Sequence, residues 1–189
     1  MRNPHFDPSK HHHRPDGFQN NYQPFERKRV GELLRWRWHA WRQGLPKPPV
    51  APIEVQSPDL GFIAANARAG LDMQPAATWI GHITVLVQCG GLNLLTDPVF
   101  SQRCSPVQWA GPQRHTPPGL ALDQLPHIDV VLLSHNHYDH MDEASLRALA
   151  RQPGGAPKVI TPLGHRTLLR RWGLHDVVEL DWWDHHVLP

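Results

Sequence analysis

Cysteine is scarce in this chain: two thiols, Cys89 and Cys104, stand among 189 residues. They form no CxxC pattern and are too few for a disulfide framework, which excludes a disulfide-stapled secreted scaffold and suits a reducing compartment. Long apolar runs are missing too, and nothing approaches the roughly 20 residues that span a bilayer. The opening MRNPHFDPSK lacks the apolar core of a secretory signal. The expected location is therefore cytoplasmic, with a membrane-peripheral variant. Net charge is small, +2, but unevenly spread. Residues 1–50 carry ten Lys/Arg against four Asp/Glu, and the remainder nine against thirteen. Such a basic leader suits an anionic surface, or simply a solvated arm; nucleic acid is not expected as a partner.

Histidine and tryptophan are plentiful, at fifteen and eight. The run His11, His12, His13 sits in polar sequence without spaced partners and reads as a surface feature. Residues 1–29 lack periodicity and read as an extended arm. Val30 to Gln43, VGELLRWRWHAWRQ, is amphipathic: Val30, Leu34, Trp38 and Trp41 share one side, Arg35, His39 and Arg42 the other, and Arg37 intrudes on the apolar face. Gly44 and the prolines at 46, 48 and 49 stop it. Most apolar stripes are packing surfaces, so docking on the protein body is the first expectation and peripheral membrane contact through 30–43 the second. A Pro-rich linker over 46–58 closes the arm, giving 1–58 as a basic, Pro-rich segment and 59–189 as the folded domain.

From Thr78 the texture changes. TWIGHITVLVQ reads as a strand, Cys89-Gly90-Gly91 as a turn and LNLLTD as a second strand. Residues 98–119 form a long Pro- and Gly-rich loop, a length that usually serves function. IDVVLLS is fit for a buried strand. Asp142 is placed to cap a helix through EASLRALARQ. KVITP, GHRTLLRRW and VVELD continue as strand, helix and strand. The alternation specifies an α/β (α+β) layered fold with loops at strand ends.

The sharpest signal is SHNHYDHMD, Ser134 to Asp142, directly after the apolar run. His135 and His137 stand at alternate positions and can grip one ion; Asp139 and His140 follow a turn and can reach a neighbouring one. Imidazole and carboxylate donors favour zinc softly. Two adjacent metals can activate a water and clamp a phosphoryl or carbonyl oxygen.

HxHxDH after an apolar strand resembles the metallo-β-lactamase fold superfamily. TWIGHITVLVQ, LLTDPVFSQRCSP, GPQRH, LPHIDVVLLSHNHYDHMD, TPLG and VVELDWW resemble, in order, the phospholipase D family that hydrolyses N-acyl-phosphatidylethanolamine. The resemblance runs from about Thr78 to Trp183. It implies an αββα sandwich carrying two Zn2+ ions, with His135 and His137 on the first and Asp139 and His140 on the second. It also implies hydrolysis of a phospholipid or other phosphodiester or ester substrate. Asp97 and His82 match family positions, and each reads more readily as a support than as a ligand.

Three further family ligands fall after the DWW segment and have no counterpart here. His165 precedes that segment and reads as a solvent-facing helix start. His185 and His186 reach a metal only if the tail folds back. The expectation is therefore the N-terminal half of a sandwich, truncated, with weak or partial zinc binding. Its exposed apolar sheet face would favour self-association. The alternatives are a catalytically inactive fragment and a lipid- or protein-binding accessory module. No residue is assigned a catalytic role.

Overall fold

A computed structural model describes residues 2–23, 29–44 and 53–188. The chain divides into two compact units, Met1–Pro52 and Ile53–Pro189.

The first unit is more ordered locally than its composition suggests. Strands β1 (His13–Arg14) and β2 (Gly17–Phe18) pair antiparallel. The Asn3 side chain closes the turn by donating to the carbonyls of Gly17 at 2.8 Å and Arg14 at 3.2 Å. The extended arm expected over 1–29 is thus corrected within residues 3–18, residues 24–28 lying outside the described ones: side-chain to backbone bonds replace the apolar periodicity that would have announced structure. Helix α1 spans Val30–Gln43 and ends at Gly44, whose φ of 71° favours glycine. None of its residues is buried.

The second unit is built on one six-stranded sheet in the order β3-β4-β5-β6-β7-β8. These strands are β3 (Ala76–Gly81), β4 (Thr84–Cys89), β5 (Leu92–Thr96), β6 (Val130–Leu132), β7 (Lys158–Pro162) and β8 (Val177–Leu180). The first three run antiparallel and the last four parallel, so the sheet is mixed. TWIGHITVLVQ is two strands rather than the single strand expected. The chain reverses at His82 and Ile83, with Gly81 paired to Thr84 across a bulge. Neither residue is a customary turn former, and His82 takes a left-handed φ of 45° to make the turn.

Three helices accompany the sheet: α2 (Leu60–Ala67), α3 (Glu143–Leu149) and α4 (Arg166–Arg171). Asp59 caps α2 by accepting the Phe62 amide at 2.9 Å. Asp142 caps α3 as its sequence position predicts, accepting the Ser145 amide at 3.3 Å. A single row of side chains crosses five strands: Leu86, Leu95, Val131, Val159 and Val177 are register partners and all buried. Ile63 of α2, Leu146 and Leu149 of α3 and Leu169 of α4 join them in one apolar core. Each such side chain contributes about 1.5–3 kcal/mol by leaving water. Side chains alternate across a strand, so the neighbouring row (Val85, Thr96, Leu132, Ile160 and Val178) lies on the opposite face and is half-buried. Among the described residues there is one layer of sheet with its helices, a mixed α/β arrangement in keeping with half of an αββα sandwich.

Candidate metal centre

β5 and β6 run parallel, so Thr96 and Leu132 leave the sheet side by side. The chain beyond each supplies one half of a hydrogen-bonded core. Asp97 is buried, with a left-handed φ of 33°. A non-glycine residue pays roughly 1 kcal/mol or more for that backbone. What offsets it is a full set of donors. The Asp97 carboxylate accepts the Ser134 amide at 2.7 Å, the Ser134 hydroxyl at 2.6 Å and His140 Nδ1 at 2.9 Å.

The protons follow from these contacts. An ionised carboxylate only accepts, so His140 must carry its hydrogen on Nδ1. The Ser134 hydroxyl spends its one hydrogen on Asp97. It can therefore only accept from His135 Nδ1, which lies 2.9 Å away. With Nδ1 carrying the hydrogen, each ring in its neutral form has its lone pair on Nε2, the form that binds a metal. His135 Nε2 lies 3.1 Å from His137 Nδ1, and the His135 and His140 ring centres are 3.9 Å apart. Burial, then the neighbouring His140 and His137, push the His135 pKa down and keep the ring neutral.

Asp139 lies on the other side of His140, with Oδ2 at 3.7 Å from His140 Nε2. His82, from the β3–β4 turn, reaches the same oxygen at 3.1 Å through Nε2. Ligand atoms of His82, Asp139 and His140 all lie within 4.8 Å of one another. Burial raises the Asp139 pKa, but its own amide and the bond from His82 outweigh that and leave it below the usual range. As placed, His82 donates to Asp139 and orients it. The four donors singled out in the sequence thus fall in two neighbouring pairs, His135 with His137 and Asp139 with His140, and His82 joins the second. The donor chemistry fits a divalent metal: imidazole nitrogens and one carboxylate gathered at one strand end.

The loop over 98–119 forms one wall. Cys104 and Pro112 line an open cavity of about 480 Å³ with His82, Asn136, His137, Tyr138 and Asp139. Arg114 pins the loop by donating to the carbonyls of Val99 at 2.6 Å and Ser101 at 2.9 Å. Asp142 does double duty, accepting the Ser101 hydroxyl at 2.8 Å as well as capping α3 and bonding the Ser145 hydroxyl. Burial pushes the Cys104 thiol up, and the Asp139 charge adds to this, so the thiol is not a poised nucleophile.

His165 is a helix-start residue, as expected, but it is not solvent-facing. It is half-buried at the end of β7, 2.7 Å from the Thr161 hydroxyl, and burial lowers its pKa. Glu179 pulls the other way, and the neighbouring His135 imidazole lowers it slightly further. The sheet register, invisible in the sequence, carries the β7 end beside the β6 end. His185 and His186 are exposed.

A family model described as a beta-lactamase superfamily domain matches residues 92–189. An uncharacterized protein of Mycobacterium tuberculosis (strain H37Rv) is 43% identical over 153 residues, covering 80% of this chain and 39% of that protein. The N-acyl-phosphatidylethanolamine-hydrolyzing phospholipase D 1 of Caenorhabditis elegans is 38% identical over 56% of this chain and 31% of its own length. A metal-dependent hydrolase of Anaeromyxobacter sp. (strain K) is 40% identical over 44% of this chain and 26% of its own. The chain spans less than two fifths of the length of each of these relatives at most 39%.

Proposed function

The chain belongs to the beta-lactamase superfamily, and from that premise we propose that it holds zinc at the exit of β6 and serves hydrolysis of a phosphodiester or related ester. The named activity of the C. elegans relative supports the substrate class. The observation that carries the reading is the relay from Asp97 through Ser134, which holds the Nδ1 sides of His140 and His135 and leaves their Nε2 atoms for a metal.

A bound divalent ion would supply a water of lowered pKa and polarise the phosphoryl or carbonyl oxygen under attack. The chain's own residues prepare for this. Asp97 fixes the ring plane of His140, and Ser134 does the same for His135. His82 holds the Asp139 carboxylate toward His140. Cys104, Pro112 and Tyr138 frame the open cavity in which a substrate head group would sit.

A second reading has its own support. The loop offers two lone-pair donors at each position, whereas a catalytic zinc usually has about three protein ligands and a water. Weak metal binding without turnover by these residues alone is the corresponding expectation.

Metal titration by calorimetry, with metal content measured after dialysis, tests both. The expected result is fewer than two tightly held zinc ions per chain and negligible hydrolysis of a phosphodiester lipid. His140→Ala and His135→Ala should each abolish the heat of binding. Two tightly held zincs with turnover would sink the weak-binding reading. Zinc uptake indifferent to both substitutions would sink the site itself.

A further inference from the structure

Helix α1 has the sequence of an amphipathic helix and the exposure of an unpacked one. Every residue of Val30–Gln43 is exposed except Ala40, which is half-buried. Trp41 is 80% exposed, Val30 74% and Leu34 61%. At 100° per residue, Leu33, Val30, Trp41, Leu34 and Trp38 fall on one arc, and Arg42, Arg35, His39 and Glu32 on the other. A helix of this length is marginal in water by itself. Arg29 at its N-cap makes no side-chain capping bond. Nothing in its own unit buries it and no side chain caps it, so a surface that takes up the apolar arc would account for it.

We propose that α1 lies in the headgroup boundary of an anionic lipid surface, with Trp38 and Trp41 where headgroups meet acyl chains and Arg35 and Arg42 on lipid phosphates. Charge complementarity selects this occupant: residues 1–50 carry ten Lys/Arg against four Asp/Glu. The Arg42 guanidinium stands 4.7 Å over the Trp38 ring, at the seam between the two arcs. There an indole enters the interface while the guanidinium stays at phosphate level. Arg37 decides against a protein groove. It sits within the apolar arc, where a protein pocket would bury its charge unpaired. At a lipid interface its long stem reaches back to the phosphates. The inference stands apart from the hydrolase reading, because α1 contributes no donor to the metal centre.

Co-sedimentation of the full chain with vesicles tests it. Retention is expected on phosphatidylcholine vesicles containing phosphatidylglycerol, with release by salt. The double variant Trp38→Ala/Trp41→Ala should bind about tenfold more weakly or worse, given the interfacial preference of indole. Amide exchange over 30–43 should slow when wild-type chain meets the anionic vesicles. Unfolding of the second unit should be unchanged in the variant, which separates lost binding from lost folding. Equal retention of the double variant overturns the proposal, as does equal binding to phosphatidylcholine alone. No retention on either vesicle also overturns it and transfers the helix to a protein partner.

Discussion

At the start of β6, Asp129 accepts the Asn93 amide at 2.7 Å; just past its end, Asp97 accepts the Ser134 amide at 2.7 Å. The two carboxylates do the same thing to the same pair of strands from opposite ends. What else they touch separates them. Asp129 is 30% exposed, and its second oxygen lies 3.9 Å from His127, too far for a hydrogen bond. Asp97 is 4% exposed and turns its second oxygen on a hydroxyl and an imidazole. A buried carboxylate must collect donors or lose its charge. Here the donors collected belong to the candidate metal centre. A clasp of the sheet at one end is a strand fastener, and at the other it is also the foundation of the centre.

Substitutions can break this comparison. Asp97→Ala is expected to have the largest effect. It strands the Ser134 amide, the Ser134 hydroxyl and His140 Nδ1, costing about 3 kcal/mol in urea denaturation and abolishing zinc uptake. An Asp97→Ala chain with near wild-type stability would show that the carboxylate is not the keystone described. Ser134→Ala comes next. The 134 amide keeps its acceptor and only the hydroxyl relay is lost, so stability should fall by about 1 kcal/mol while zinc affinity falls about tenfold or more. Asp129→Ala should cost about 1 kcal/mol and leave zinc affinity unchanged; a matching loss of zinc would erase the distinction between the two ends.

A smaller effect sharpens the picture at β8. Burial raises the Glu179 pKa, but bonds from the Arg166 amide, the Arg166 side chain and the Gly164 amide outweigh it and hold it low. A depressed folded-state pKa stabilises the protein above the unfolded glutamate value, and the gain disappears as pH falls through the folded value. Glu179→Gln should cost about 1 kcal/mol or less at neutral pH, because Arg166 is partly exposed and screened. Urea midpoints of variant and wild type should converge as the pH is lowered through the acidic range. A constant gap across pH would mean that the contribution is not the carboxylate's charge.

Much of the second unit could be read directly from the chain. The apolar run before Ser134 marked β6, KVITP coincides with β7, and Asp142 announced the cap of α3. Four donors in six residues marked the loop, because that density has few other uses. The failures share one cause. The β3–β4 turn uses His82 and Ile83, which carry no turn signature, and only pairing of Trp79 with Val85 makes the reversal pay. Helix α2 is short, and its one announcement, Asp59 before an apolar stretch, is weak alone. His82 lies 57 residues from Asp139 in sequence, yet the two touch. Side chains cooperating across that distance leave no local period.

By itself, the sequence determined which residues can ligate, which segments alternate as strands and which helix is amphipathic, because these depend on residue type and on spacing within one element. Only the tertiary structure decided that Asp97 and Ser134 set the tautomers of His135 and His140. It alone brought His82 to Asp139 and drew His165 inward. Proton placement and burial are properties of contacts between distant segments, and no single segment contains them.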